Sequence, residues 1–346
     1  MLWRGGIFVI RGGLLMRYLI TGGAGYIGSH LVDSLLKDNH KVTVIDNFST
    51  GKHDNLAQAL DNSSLKLHED TILNEKLLNR VVREVDGIYH LAAAVGVKNI
   101  VDNPLECIIT NVDGTHRILE AALKYGVKVL IASSSEVYGM STRVPLHEDD
   151  IRMPGPTNVP RWSYAVSKAL DEHLALAYRM ERDLKCVIVR YFNSYGPRID
   201  EKGYGSVIAR FMMQAFENHP LTIYGTGEQT RSFTYIDDTI RGTRMAFENP
   251  RGEGLVFNIG NHNEVTINEL ANLVEEAVGV NVGRKRMSFE DVFGKHFQET
   301  PRRKPDTSRA KEILEFEAKT GLKDGLAKTV AWARENYISA KTNNDV

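Results

Sequence analysis

Short apolar runs alternate along this chain with longer stretches in which apolar residues return every three or four positions. Residues 17–21, 41–45, 65–68, 87–91, 127–132 and 185–191 have the first pattern and read as strands. Residues 27–37, residues 103–125 and the stretch through Tyr164 to about residue 182 have the second and read as helices. Strands alternating with helices at this pitch predict an α/β architecture: a parallel, doubly wound sheet whose ligand lies outside the carboxyl ends of its strands. After residue 200 the alternation weakens. Helices are expected at 205–217, 237–248 and 266–278, with a strand and turn at 221–226, a polar loop at 227–233, a strand at 256–260 and a basic turn at 301–306. The division that follows is an extension at 1–16, a sheet domain at 17–192, and a smaller C-terminal α/β lobe at 193–340. Parts of that lobe are expected to return to the sheet.

The residues with unusual chemistry sit at the predicted strand ends. The first strand stops at Gly22-Gly23-Ala24-Gly25-Tyr26-Ile27-Gly28, and a helix begins there. Glycines at 22, 25 and 28 permit a tight turn, close approach of backbone N–H groups to a pyrophosphate, and packing of the helix on the strand. That is the pattern of a Rossmann dinucleotide site. Asp46, at the end of the second strand, would accept hydrogen bonds from a ribose diol and repel a 2′-phosphate, which favours NAD over NADP. Asn47 follows it in the same loop. Asp70, beside Thr71, would meet the adenine edge or cap a helix, two roles that look alike in sequence. The small residues after Leu91, Ala92 and Ala93 among them, let a dinucleotide lie close to the backbone.

The fifth strand runs into Ser133-Ser134-Ser135-Glu136-Val137-Tyr138-Gly139. These polar groups either satisfy a turn or serve a reaction. Tyr164 and Lys168 stand four apart at the start of a helix, so both side chains leave one face. An ammonium there favours the phenolate of a tyrosine whose ordinary pKa is about 10. Bringing it near neutrality takes ~4 kcal/mol, more than one exposed charge pair supplies, so a second cation such as an oxidised nicotinamide is expected nearby.

Composition narrows the partners. The 346 residues carry 43 basic and 44 acidic side chains, a net charge of −1, which makes no electrostatic case for nucleic acid or an anionic membrane. No apolar run approaches the length of a membrane span. Cys107 and Cys186 both fall in apolar periodic segments and read as buried free thiols, with a cytosolic location the corresponding expectation. The N-terminal stretch is too broken for a signal-peptide core, and Met16 reads as the natural start of the domain. No metal is expected.

Taken in order, the Thr21 to Gly28 turn, Asp46, the stretch 133–139, Tyr164 with Lys168, Asn193 to Pro197 and the stretch 227–238 resemble the extended short-chain dehydrogenase/reductase family, in its nucleotide-sugar-modifying branch. The match runs from residue 17 onward. The resemblance implies a tightly held NAD, a nucleoside-diphosphate sugar between two lobes, and a homodimer formed through helices 103–125 and 163–182. It implies that Tyr164 takes a proton from the sugar 4-hydroxyl as hydride leaves C4, that Lys168 assists it and binds the nicotinamide ribose, and that Ser134 shares the proton relay. Asn193 and Arg231 would contact the diphosphate or nucleoside.

Members of this family oxidise C4 and then diverge into epimerases, dehydratases and decarboxylases. Glu136 has no obvious task in an epimerase, whereas dehydratases and decarboxylases use a carboxylate there. Ser135 stands where glucose-type dehydratases typically carry an aspartate acid, and a serine cannot replace it. The stretches 160–164 and 302–306 are similar to UDP-glucuronate decarboxylases, in which the residue matching Arg303 lies beside the sugar carboxylate. The expected function is therefore decarboxylation of UDP-glucuronate through a 4-keto sugar. A UDP-sugar 4-epimerase and a UDP-hexosamine dehydratase are the alternatives. Two departures from the pattern stand: Ser134 where UDP-xylose synthases have threonine, and the stretch 95–100, where Lys98 either recognises a carboxylate or is simply solvated.

Overall fold

The computed structural model describes residues 9–10, 13–96, 100, 102–201, 206–293 and 298–338, with side chains from residue 15 onward. Of the expected N-terminal extension, Val9–Ile10 and Gly13–Leu14 pair as a short antiparallel ladder. Residues 1–8 and 11–12 lie outside the described residues.

From residue 17 the first half builds the sheet, as β1 (Arg17–Thr21), α1 (Tyr26–Lys37), β2 (Lys41–Asp46), β3 (Leu65–Glu69), α2 (Glu75–Val82), β4 (Gly87–His90), α3 (Pro104–Tyr125), β5 (Lys128–Ser134), α4 (Arg161–Arg182) and β6 (Cys186–Tyr191). The second half contributes α5 (Val207–Phe216), β7 (Leu221–Tyr224), β8 (Thr230–Ser232), α6 (Ile236–Glu248), β9 (Val256–Ile259), β10 (Glu264–Thr266), α7 (Ile267–Val278), β11 (Arg284–Met287), β12 (Arg302–Arg303), α8 (Ser308–Leu314) and α9 (Leu322–Ala333). Seven parallel strands form the central sheet in the order β9-β6-β5-β4-β1-β2-β3. β4 and β6 are buried along their whole length, because helices cover both faces. One face packs on Leu31, Val32 and Leu35 of α1 and Phe247 of α6, and the other on Leu77 and Leu78 of α2, Ile118 and Leu119 of α3 and Ala175 of α4. This is the doubly wound α/β fold expected from the alternation of strands and helices.

The seventh strand, β9, comes from beyond residue 200, and the apolar cluster under α1 continues without a break into the smaller lobe through Phe211, Leu221 and Leu270. Among the described residues the lobe holds three small sheets: β7 with β11, a three-stranded one in the order β10-β8-β12, and the parallel pair Ser194–Tyr195 with Thr234–Tyr235. Here the structure corrects the sequence reading. The polar loop expected at 227–233 holds strand β8, and the basic turn expected at 301–306 holds strand β12. The two pair in parallel with Arg231 opposite Arg303, and β10 pairs antiparallel on the other side of β8. Neither strand has an apolar periodicity of its own. Each exists because its partner arrives from a distant part of the chain. Ser133 and Ser134, expected just beyond the end of the fifth strand, are the last ladder positions of β5, opposite Arg190 and Tyr191.

A buried polar network ties the end of β5 to its neighbours. Arg190 on β6 is 3% exposed and donates from Nε and Nη2 to the two carboxylate oxygens of Glu172 on α4, at 2.8 and 2.7 Å. Its Nη1 donates to the Tyr138 hydroxyl at 2.9 Å and to the Glu148 carbonyl at 2.9 Å. The Ser133 hydroxyl donates to Glu172 at 2.6 Å, and Tyr138 donates to Asn258 of β9 at 2.7 Å. The turn Ser135–Tyr138 that follows β5 is thereby held from below. Replacing Glu172 by Gln leaves a buried guanidinium without its counter-ion and is expected to destabilise the chain by about 3–5 kcal/mol. Urea unfolding of the two proteins checks this, and a loss well under about 1 kcal/mol would contradict a structural role for the pair.

Candidate active site

The carboxyl ends of β1, β2 and β4 form the first part of the site. Gly22 has φ of +72°, and a side chain there would meet the Ala92 backbone at 2.8 Å. At Gly28 it would lie 2.1 Å from the Gly22 carbonyl oxygen, so α1 can approach β1 this closely only with glycine there. α1 starts after Gly25 with no side-chain cap and no acidic residue in its first turn, at Tyr26 and Ile27. Its N-terminus is therefore disposed towards an anion. Asp46 is buried, and its carboxylate accepts from the Ala24 N–H at 2.8 Å and the Phe48 N–H at 2.9 Å. Burial pushes its carboxyl up, and the two N–H bonds pull it back. Asn47 accepts from the Ser49 N–H at 3.2 Å.

Asp70 accepts from the Thr71 N–H and from the Asn74 side chain, both at 2.7 Å. The cap of α2 is Asn74, so the alternative reading of Asp70 as a helix cap is corrected. After β4, the N–H groups of Leu91 and Ala92 donate to the carbonyl and hydroxyl of Thr21 at 3.1 and 3.2 Å. Ala93 continues this segment. The small side chains and the close backbone packing at Gly22, Gly25 and Gly28 fit a dinucleotide, which these glycines and Asp46 would hold.

The chemical part lies where β5 meets α4. The Ser134 hydroxyl accepts from the Glu136 N–H at 3.2 Å and hydrogen-bonds the Tyr164 phenol. One turn further along α4, the Lys168 ammonium donates to Asp171 at 3.1 Å, with both groups buried. Burial, and then the negative charge of Glu136, push the Tyr164 phenol well above its ordinary value, and the Ser134 bond offsets this only in part. The expectation that Lys168 depresses Tyr164 is thus not met. Asp171, three residues on from Lys168, neutralises that lysine and itself adds to the upward push.

Beside Ser134 and Tyr164 is a cluster of five ionic groups. Arg303 Nη1 donates to Glu136 Oε1 at 2.6 Å, and Arg161 Nη2 lies 3.6 Å from Glu136 Oε2. Arg161 Nη1 donates to Glu299 at 3.2 Å and to the Gln298 carbonyl at 2.6 Å, and Arg231 pairs with the same Glu299. Burial alone would raise the Glu136 carboxyl, yet Arg303 and Arg161 hold it down at about 2. Burial, then repulsion from Arg303 beside it on β12, lowers Arg231 to about 10. Ser135 is buried in the turn beneath this cluster. Asn193, in a left-handed conformation with φ of +40°, donates to the Ser232 carbonyl at 2.8 Å at the edge of β8. Lys98 lies outside the described residues.

The structure thus brings Ser134, Glu136, Tyr164, Lys168, Arg231 and Arg303 to one end of the sheet. Three members escaped the sequence reading. Arg161 stands in the stretch 160–164 singled out there, but nothing in its spacing says that its guanidinium turns inward. Asp171 was visible as a helical i, i+3 partner of Lys168. Glu299 carries no local signal, because its partners are on α4 and β8.

The chain is similar to known proteins over most of its length. Residues 19–329 match the family described as GDP-mannose 4,6 dehydratase. The UDP-N-acetyl-alpha-D-glucosaminuronate decarboxylase of Bacillus cytotoxicus is 42% identical over 322 residues, 92% of this chain and 98% of that protein. UDP-glucuronic acid decarboxylase 1 of Xenopus tropicalis is 36% identical over 95% of this chain and 74% of its own length. The crystal structure of UDP-glucuronic acid 4-epimerase from Bacillus cereus, in complex with UDP-glucuronic acid and NAD, superposes with a TM-score of 0.83 at 32% identity, covering 93% of this chain and 100% of that one. The chain belongs to the GDP-mannose 4,6 dehydratase family, within the nucleotide-sugar-modifying branch of the extended short-chain dehydrogenases/reductases.

Proposed function

We propose that the protein is an NAD-dependent decarboxylase of a UDP-linked uronate, acting through transient oxidation at C4 of the sugar. The observation that carries this reading is the Glu136–Arg303 contact, with Arg161 behind it, next to Ser134 and Tyr164. A guanidinium pair facing the reacting sugar has a task when the sugar bears a carboxylate and little to do when C6 is a neutral alcohol. UDP-glucuronate is the first substrate. The identity to a decarboxylase of the 2-acetamido analogue over nearly its whole length supports UDP-N-acetylglucosaminuronate as the second.

The glycine turn and Asp46 would hold NAD, which would accept the hydride from C4 and return it there after CO₂ has left and C5 is protonated, so the reaction has no net redox change. Tyr164 is the base for the 4-hydroxyl proton and Ser134 its hydrogen-bonded relay. The phenol stays protonated until positive charge accumulates beside it, and Lys168 is the resident cation. Once C4 is a ketone, the C6 carboxylate belongs to a β-keto acid. The C5–C6 bond breaks, its electron pair passes into an enolate across C5 and C4, and CO₂ leaves. Arg303 and Arg161 orient the carboxylate, and C5 must then be protonated. Glu136 is the side chain for that proton: paired with Arg303 it is an anion, and losing that partner to the substrate carboxylate raises its affinity for a proton.

Exposed apolar residues on α3 (Leu105, Ile108, Ile109) and α4 (Val166, Leu170, Met180) support a homodimer through these helices. The buried free thiols of Cys107 and Cys186 support a cytosolic location. Among the described residues, no helix is long and apolar enough to cross a membrane.

Incubation with UDP-glucuronate, UDP-N-acetylglucosaminuronate and UDP-glucose, followed by product mass, is expected to give loss of CO₂ from an acidic sugar only. An isobaric product from both acidic sugars would replace decarboxylation with epimerisation. Arg303→Ala is expected to raise KM for the acidic sugar by about 10–100-fold, as for loss of a charge-assisted bond, and to change the affinity for UDP-glucose far less. Equal effects on both would remove the carboxylate assignment. Glu136, depressed in the folded chain, contributes stability that is present above the unfolded glutamate value of about 4.3 and is lost as pH falls towards about 2. The stability difference between wild type and Glu136→Gln should therefore hold steady above about pH 5 and shrink below about pH 4 in urea unfolding. A difference that stays constant through that range would contradict the ion pair.

A further inference from the structure

The ionic cluster has more arginines than carboxylates, and its members differ in exposure. The side chains of Arg161, Arg231 and Arg303 are 7%, 10% and 7% exposed, whereas Glu136 and Glu299 are 24% and 20% exposed. The anions are the more exposed members. Arg231 and Arg303 are neighbours in a parallel strand pair, an arrangement of like charges that needs negative charge close by. Glu136 supplies it at Arg303, and Glu299 at Arg231. Arg161 touches both carboxylates and is further held by the Gln298 carbonyl, while Trp162 Nε1 donates to the Gln298 side chain at 3.2 Å. The segment carrying Glu299 is thereby pinned to the first turn of α4, and Thr300 pins it again by donating to the Gly139 carbonyl at 3.2 Å.

We infer that Glu299 is an internal stand-in for the anionic group of the nucleotide, neutralising Arg231 and Arg161 until a diphosphate displaces it. The inference rests on the reading of Arg231 as a diphosphate contact. A carboxylate and a phosphate oxygen make the same charge-assisted bonds to a guanidinium, so the two compete for one donor set. The buried arginines need counter-ions, since an unpaired buried guanidinium is costly. Glu299 therefore trades affinity for stability of the fold. It also gates selectivity: a ligand must bring enough negative charge to replace a resident carboxylate, which a neutral sugar without its nucleotide cannot do.

The test is isothermal titration of NAD-loaded protein with UDP. Glu299→Gln is expected to bind UDP about five- to tenfold more tightly, because a competing state is removed. Arg231→Met is expected to bind it more than about tenfold more weakly. Unchanged or weaker binding by Glu299→Gln, with Arg231→Met still impaired, would overturn the stand-in role and leave the diphosphate reading of Arg231 intact. Unchanged binding by Arg231→Met would remove that reading and the inference with it. A crystal structure of wild-type protein with UDP reads the same event without a variant: separation of Glu299 from Arg231 supports displacement, and an intact pair sinks it.

Discussion

Burying three guanidiniums in the seam between the sheet and the smaller lobe is the constraint on which the site depends. Each would cost several kcal/mol without a counter-ion. Glu136 meets Arg303 and Arg161, and Glu299 meets Arg231 and Arg161, so the five groups form one connected set. That set spans the end of β5, the first turn of α4, β8 and β12. It ties the smaller lobe to the sheet at the candidate site.

The parallel sheet decides where this happens. Because every strand runs the same way, all the loops that follow strands gather at one end. The glycine turn, Asp46, the Ala92 segment and the Ser134–Glu136 turn are such loops. Beneath the last of them, Arg190 and Glu172 hold Ser133 and Tyr138, so Ser134 and Glu136 rest on a buried, fully hydrogen-bonded support. A reactive turn carried on a rigid strand end can be positioned to a fraction of an ångström, which proton transfer requires.

The charged groups of the candidate site are balanced against one another. Tyr164 is protonated, Lys168 is matched by Asp171, and Glu136 is matched by Arg303. The proposed chemistry needs each balance to shift, and the arrival of charged ligands is the means. Glu136 and Tyr164 are linked in this respect, because the carboxylate is one of the groups that keep the phenol protonated.

Periodicity and motif spacing by themselves determined the sheet, its helices, the dinucleotide turn and the Tyr164–Lys168 pair. These are local features: a strand's apolar run, a glycine at a position where a side chain would meet the backbone, or two residues one helical turn apart. The tertiary structure alone decided the rest. β8 and β12 are polar in sequence and become strands only by pairing with each other and with β10. Arg161, Asp171 and Glu299 enter the site through partners that folding brings to them. Whether Lys168 lowers or leaves the Tyr164 phenol is likewise a question of burial and of which carboxylates lie nearby, because proton affinity is set by the surrounding charge and desolvation, and neither is written at any one position in the chain.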